Sequence, residues 1–268
     1  NATLEAMRNV TAVGATPHAL SDCLCFGNPE KPHQMWEFVE AVKGISDACK
    51  KVKLKKYPES PTPIIAGNVS FYNESKSSSI PPSPIISCLG KIKDVDTAIT
   101  MSFKKHNSKI FMIGKRKDEL GGSLYYSLYD QLGANVPNPD LNEVRNQIYA
   151  ITDCIDSRLI ESCHDISDGG IAIALSEMTF ENNIGCSVCI PGELSTEKLL
   201  FSETGGFIIE VEDSNTDSVN KIFDKYNVSL ELIGETSEDQ KLIINDAINV
   251  EVEEMEDLWT NGLRDKVR

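Results

Sequence analysis

Gly67-Asn68-Val69-Ser70 follows directly on Ile64-Ile65-Ala66, an apolar run that reads as a short buried strand. Gly67 has no Cβ, so a ligand or another backbone can approach closely there. Asn68 and Ser70 then offer an amide oxygen and a hydroxyl two residues apart, which extended chain places on one face. An oxygen ligand, a hydroxyl and a bare backbone together suit a phosphate with its metal ion. By itself the pattern also fits an ordinary strand end.

Two further stretches carry groups able to do chemistry. In His164-Asp165-Ile166-Ser167-Asp168-Gly169-Gly170, a histidine beside a carboxylate could work as an acid–base pair. Its two aspartates, three apart, could share a metal. The same residues fit a turn between two helices in which Asp168 caps the second helix and the glycines allow close packing. Ser202-Glu203-Thr204-Gly205-Gly206 could cradle a phosphate on backbone N–H groups. It matches no P-loop and lacks the lysine of one, so a tight turn between helix and strand is preferred. His18 and His33 stand alone and read as surface or packing residues.

The 268 residues carry 26 lysines and arginines against 41 acids, a net charge of −15, with 40% hydrophobic residues. These values suit a globular chain of about two domains. No apolar run approaches the ~18 residues of a membrane span. The acidic surface repels nucleic acid and anionic membranes, so neither is an expected partner. An anionic ligand needs local help from a metal ion, helix N-termini or another subunit. The eight cysteines form no disulfide framework. Cys186 and Cys189 form a CxxC whose side chains face opposite ways in an alternating stretch, and no second CxxC or histidine completes a zinc site. Reduced thiols in a cytoplasmic protein are expected. The chain opens at Asn1 on a helix already under way, Thr3–Val13, as a fragment of a longer protein would.

The elements that must position these groups alternate along the chain. Strands are expected at His18–Leu24, Ile64–Ala66, Ile85–Ile92 and Lys109–Gly114. A helix runs from Pro32 to about Lys50, with Met35, Phe38, Val42, Ile45 and Cys49 on one face. The basic run Lys50–Lys56 could be an anion patch, but a solvated loop before Pro58 is the preferred reading. Leu124, Leu128 and Leu132 predict a helix closed by Gly133. Asn135–Pro139 has linker composition, which places the domain boundary between residues 138 and 139. Asp140-Leu-Asn-Glu143 opens a helix through Leu159, and a second follows with Ile171, Ala174, Leu175 and Met178. Strands at Cys186–Ile190, Phe207–Val211, Leu230–Gly234, Lys241–Ile244 and Ile248–Val252 surround a helix near Val219–Tyr226, and a last helix holds Leu258 and Trp259. The fold class is therefore α/β (α+β), in two two-layer domains, 1–138 and 139–268.

Asp22-Cys-Leu-Cys-Phe-Gly-Asn-Pro-Glu-Lys-Pro32, Gly67-Asn-Val-Ser-Phe-Tyr-Asn-Glu74, Glu119-Leu-Gly-Gly-Ser123 and His164-Asp-Ile-Ser-Asp-Gly-Gly170 occur in that order. The series resembles the second half of the synthetase subunit of phosphoribosylformylglycinamidine synthases, over nearly the whole chain. In that family a two-domain unit, related to aminoimidazole ribonucleotide synthetase, occurs twice; here the N-terminal domain is incomplete at its start. The resemblance implies an ATP- and Mg²⁺-dependent ligase of purine biosynthesis. ATP phosphorylates the amide oxygen of formylglycinamide ribonucleotide, and ammonia from a glutaminase domain or subunit attacks the iminophosphate. It implies nucleotide contacts at Asp22 and Gly67, a metal ligand at Asn68 and a substrate contact at Ser70, and it leaves an accessory nucleotide or metal role open for Asp165. The family's catalytic histidine, phosphate-contacting lysine and metal-binding glutamate belong to the first half, which becomes an expected partner beside the glutaminase. Dimerisation through the N-terminal domain is a further expectation. The Lys51–Tyr57 segment looks longer than the family's usual connection, and the Ser202–Gly206 turn lacks a following arginine. The alternatives are a non-catalytic half holding a structural nucleotide, or a relative of the selenophosphate or thiamine-monophosphate kinase type.

Overall fold

A computed structural model describes residues 1–266. Helix α1 (Ala2–Ala12) buries Leu4, Met7 and Thr11 and leads into strand β1 (Thr16–Cys25). Pro32 occupies the first turn of α2 (Pro32–Lys51), where its missing N–H costs nothing. The basic segment after α2 is not a plain loop. It folds back as a small antiparallel hairpin, β2 (Lys53–Leu54) with β3 (Tyr57–Pro61). Then come β4 (Ile64–Ser70) and β5 (Ser83–Lys91), which flank β1 in a three-stranded sheet of order β4-β1-β5. β4 is parallel to β1 and β5 antiparallel, so one edge of β4 is unpaired among the described residues, and Ile64 and Ile65, expected in a buried strand, are exposed there.

The remaining strands form one seven-stranded sheet, of order β12-β11-β8-β10-β6-β9-β7. They are β6 (Lys109–Ile113), β7 (Ser162–Ile166), β8 (Gly185–Val188), β9 (Gly206–Val211), β10 (Leu230–Ser237), β11 (Lys241–Ile244) and β12 (Ile248–Glu251). Between and after them run α3 (Leu124–Ser127), α4 (Leu141–Asp156), α5 (Gly170–Thr179), α6 (Thr196–Phe201), α7 (Thr216–Lys225) and α8 (Val252–Lys266). β6 pairs with β9 and β10 although it precedes the Asn135–Pro139 stretch. The sheets thus divide the chain between residues 91 and 109, ahead of the expected boundary after residue 138.

Alternation in β6 and β9 sends Phe111, Ile113, Phe207 and Ile209 to one side of the large sheet and Ile110, Met112 and Ile208 to the other. The first set joins α4 (Ile148, Ile151, Ile155), α1 (Leu4, Met7) and β1 (Leu20, Leu24) in one buried cluster. The second packs on α5 through Leu175 and Met178. α4 therefore lies where the two sheets share a core.

Two expectations fail locally. The helix predicted through Leu132 ends at Ser127: Asp130 takes φ 54°, and the Gln131 N–H bonds back to the Tyr126 carbonyl. Leu128 and Leu132 are 79% and 78% exposed, so their spacing marks no buried face. His164 and Asp165 lie not in a turn between α4 and α5 but on β7, which pairs antiparallel with β9 and is buried on both faces except at the half-buried His164. The capping role weighed for Asp168 also fails, because Gly169 at φ 75° occupies the N-cap of α5 with no side-chain cap bond.

Candidate functional site

The stretch Gly67–Ser70 is part of strand β4 itself and not a turn beyond it. The parallel register aligns Asp22 with Gly67, Cys23 with Asn68 and Cys25 with Ser70. Alternation then places Asp22 and Gly67 on one face, and Cys23, Cys25, Asn68 and Ser70 on the other. All four expected site residues meet within one strand pair, split across its two faces and joined around the free edge of β4. That edge can face a ligand because Gly67 carries no side chain and nothing pairs outside it among the described residues.

On the first face the Asp22 carboxylate lies over Gly67, where an added Cβ would stand 2.9 Å from Oδ1. Asp22 is half-buried and has no hydrogen-bond or ion-pair partner among the described residues. Its charge reaches Cys49 of α2, whose thiol is raised first by burial and further by Asp22. On the other face the exposed Asn68 amide nitrogen stands 3.6 Å from Cys23 Sγ, and its oxygen makes no bond among the described residues. An unpartnered carboxylate, an open glycine backbone and a free amide oxygen fit a nucleotide and its Mg²⁺, since hard cations take oxygen ligands and keep several waters.

Ser70 is held in place by Asn73, whose amide nitrogen donates to the Ser70 hydroxyl at 3.0 Å, the Ser70 carbonyl at 2.9 Å and the Phe26 carbonyl at 3.0 Å. The ends of the two motifs are clamped across β1 and β4. Lys31 Nζ is 2.6 Å from Glu74 Oε2, and this bond holds the Glu74 carboxyl below its ordinary value. Asn28 Oδ1 accepts from the Glu30 N–H at 2.9 Å, and the Tyr72 hydroxyl donates to Glu30 at 3.2 Å. The buried Gln34 amide fills the space beside Gly27 and would collide with any Cβ there. The polar residues of Asn28–Lys31 thus build the clamp, while Asp22 and the β4 edge face outward. Asn73 and Glu74 were not assigned roles from sequence; their place just after Ser70 was the available clue.

The second candidate stretch is a closed network. His164 Nε2 is 2.8 Å from Glu177 of α5, and Nδ1 is 3.4 Å from Asp165. Burial opposes charge on His164, but bonds to Asp165 and Glu177 outweigh it and raise its pKa to about 9. The imidazole is thus held protonated, which makes it a structural cation at neutral pH and a poor general base. Asn9 of α1, with its nitrogen toward Asp165, donates to Oδ1 at 2.8 Å and Oδ2 at 3.2 Å. Arg8 is buried beside it; burial lowers its pKa while Asp165 and Glu5 pull the other way. Glu177 lies 13 residues beyond His164 with no local pattern to link them. Arg8 was not singled out from the sequence either; its place four residues after Leu4 on the apolar stripe of α1 was the available clue.

The Ser202–Gly206 turn spends its side chains internally. Glu203 Oε1 accepts from the N–H groups of Leu124 and Gly169 at 2.8 and 3.0 Å, and Thr204 donates to Glu119 at 2.6 Å. The Arg8 guanidinium covers Gly205, where a Cβ would meet Nη1 at 2.5 Å. Cys186 is buried, its thiol pushed up to about 12 by burial, whereas Cys189 is exposed, as the alternation predicted.

Comparison with known proteins gives the same architecture. The phosphoribosylformylglycinamidine synthase subunit PurL of Methanothrix thermoacetophila is 43% identical over the whole chain, which covers 36% of that protein. The PurL of Thermococcus sibiricus is 36% identical over 97% of the chain and 36% of its own length. The chain therefore spans about a third of the length of these curated relatives. Among solved structures, PurLQS from Thermotoga maritima aligns with a TM-score of 0.71 at 18% identity, over 94% of this chain and 40% of that one. T. maritima PurL complexed with FGAR aligns with a TM-score of 0.70 at 16% identity, over 93% and 41%. The profile "AIR synthase related protein, N-terminal domain" matches residues 1–92 and "AIR synthase related protein, C-terminal domain" matches 105–246. With the second profile alone covering more than half of the 268 residues, the chain belongs to the AIR synthase related protein family.

Proposed function

We propose that this chain forms the second half of the synthetase that converts formylglycinamide ribonucleotide to the amidine, using ATP, Mg²⁺ and ammonia from a glutaminase. The observation that carries the reading is the register of β1 against β4, which sets the unpartnered Asp22 carboxylate beside the bare Gly67 backbone on one face of the strand pair, with the Asn68 amide and Ser70 on the other. Two PurL relatives at 43% and 36% identity support it, as do the solved T. maritima PurL complexes with ATP and with FGAR.

In this reading Asp22 and Gly67 contact the nucleotide, Asn68 supplies an oxygen to Mg²⁺, and Ser70 contacts the ribonucleotide. The metal, when bound, neutralises charge on the transferring phosphoryl group. The chain's own contribution is position: Asn73 fixes the Ser70 hydroxyl, and the Lys31–Glu74 pair fixes the turn behind it. We place the domain division between residues 92 and 105. The histidine and the cations of the first half complete the chemistry, so the isolated chain should show no synthetase turnover; ammonia- and ATP-dependent amidine formation by the chain alone would refute this.

The assignment is tested by substitution in the complete synthetase. Asn68→Ala should lower kcat/KM by ~10²–10³, in part recoverable with added Mg²⁺. Ser70→Ala should raise KM for the ribonucleotide, at a cost of about 1–3 kcal/mol. Loss of melting temperature with unchanged kinetics in both variants would move the site elsewhere.

A further inference from the structure

The β2–β3 hairpin closes one side of a cleft of about 630 Å³ that the proposed synthetase site does not use. Its opposite wall is the start of β1, with the exposed His18, and the end of β5, with Lys91 and Lys93. The hairpin contributes Lys55, Lys56 and Tyr57, and Asp156 is the one acid among the lining residues. In a chain of net charge −15 this is a local reversal of sign.

The lysines differ in what they are free to do. Lys55 is engaged with the Tyr149 carbonyl at 2.9 Å, Thr152 at 2.6 Å and Asp153 at 2.7 Å, so it braces the hairpin on α4. Lys56, Lys91 and Lys93 are exposed and have no hydrogen bond or ion pair among the described residues. Strand pairing sets Lys91 directly across from Thr16, and both line the cleft. Tyr57 is 54% exposed, and Lys56 Nζ stands 5.8 Å from its ring centroid.

We propose that this cleft binds a small nucleoside phosphate, with the phosphate on Lys56, Lys91 and Lys93 and the base stacked on Tyr57. Three uncompensated ammonium groups around a concave space favour a compact, multiply charged anion. An exposed aromatic ring beside them supplies a sequence-tolerant stacking platform for a base. The volume lies in the range of pockets that enclose a small ligand, roughly 300–1,000 Å³. A nucleic acid polymer is disfavoured, because the strongly acidic surface repels its phosphates beyond the cleft. His18 and Asp22 share β1 four residues apart, about 13 Å along the strand, so the cleft and the β4 edge are separate sites.

The test is equilibrium binding of AMP and of inorganic phosphate to the chain, by calorimetry at low salt. The variants are Lys91→Glu with Lys93→Glu, Tyr57→Ala, and Asp22→Asn as a control for the other site, each checked for native circular dichroism. The exposed positions keep folding out of question. AMP should bind saturably, lose affinity roughly ten- to hundredfold in the double lysine variant and roughly tenfold in Tyr57→Ala. The component of AMP binding that the double lysine variant loses should persist in Asp22→Asn. Binding abolished by Asp22→Asn and untouched by the lysine variant would overturn the proposal and assign the nucleotide to the β4 edge. Equal affinity for phosphate and AMP, with no effect of Tyr57→Ala, would overturn the nucleoside assignment in favour of a simple anion, and absence of saturable binding would overturn both.

Discussion

The Asp22 carboxylate sits over the bare backbone of Gly67, so close that a methyl group at Gly67 would stand 2.9 Å from Oδ1. Asp22 is held there by strand register and not by a polar partner, which leaves it available to a ligand while its position depends on the glycine.

Gly67→Ala should therefore act on binding and not on folding. The added Cβ meets the far end of one flexible side chain and displaces the carboxylate without striking backbone. The melting temperature should stay within a few degrees, while nucleotide affinity of the assembled synthetase, measured by calorimetry, should fall by roughly tenfold or more. A large drop in melting temperature at unchanged affinity would show that Gly67 serves packing.

Asn73→Ala should act on folding and on binding together. One side-chain nitrogen ties the Phe26 carbonyl, the Ser70 carbonyl and the Ser70 hydroxyl together. Its loss should cost about 1–3 kcal/mol in urea unfolding and should also weaken the ribonucleotide contact by freeing Ser70. A variant as stable as the parent would mean that the Lys31–Glu74 pair, the Tyr72–Glu30 bond and the backbone bonds between the motif ends hold them without the Asn73 side chain.

The His164 network predicts a pH signature. Its pKa rises from the ordinary 6.5 to about 9 in the folded chain. Stabilisation from this cation is fully present below about pH 6.5 and is lost as the pH climbs through 9, on the order of 3 kcal/mol in all. Melting temperature measured from pH 6 to 10 should fall over that window in the parent. Glu177→Gln removes one of the two anions, so the fall should begin at lower pH; an unshifted profile would place the titration on another group.

How far the residues alone revealed this protein can be judged element by element. Helix α2, from Pro32 to Lys51, was legible because its signals are local: a proline at the first turn and apolar residues at helical spacing. The same holds for α4, which opens where Asp140 accepts from the N–H groups of Asn142 and Glu143. The Leu124-Leu128-Leu132 spacing misled, since a turn of backbone at Asp130 and the stacking of Tyr125 on Phe201 outweighed helix propensity. β7 was missed because its pattern acquires meaning only once β9 lies beside it.

The candidate site divides along the same line. Gly67, Asn68 and Ser70 are near neighbours, so a bare backbone followed by oxygen ligands on one face was a property of the chain itself. That Asp22 belongs with them rested on family resemblance, and only the parallel pairing of β1 with β4 put its carboxylate over Gly67. The same pairing placed Asp22 and Asn68 on opposite faces of the sheet, which no one-dimensional spacing encodes for residues 46 positions apart. Likewise, the sheet that the expected strand Lys109–Ile113 joins, the charge favoured on His164 and the lysine-lined cleft behind the β2–β3 hairpin arise from contacts between distant segments. Local hydrogen bonding and periodicity are written in neighbouring residues; long-range register and burial exist only after the chain has closed on itself.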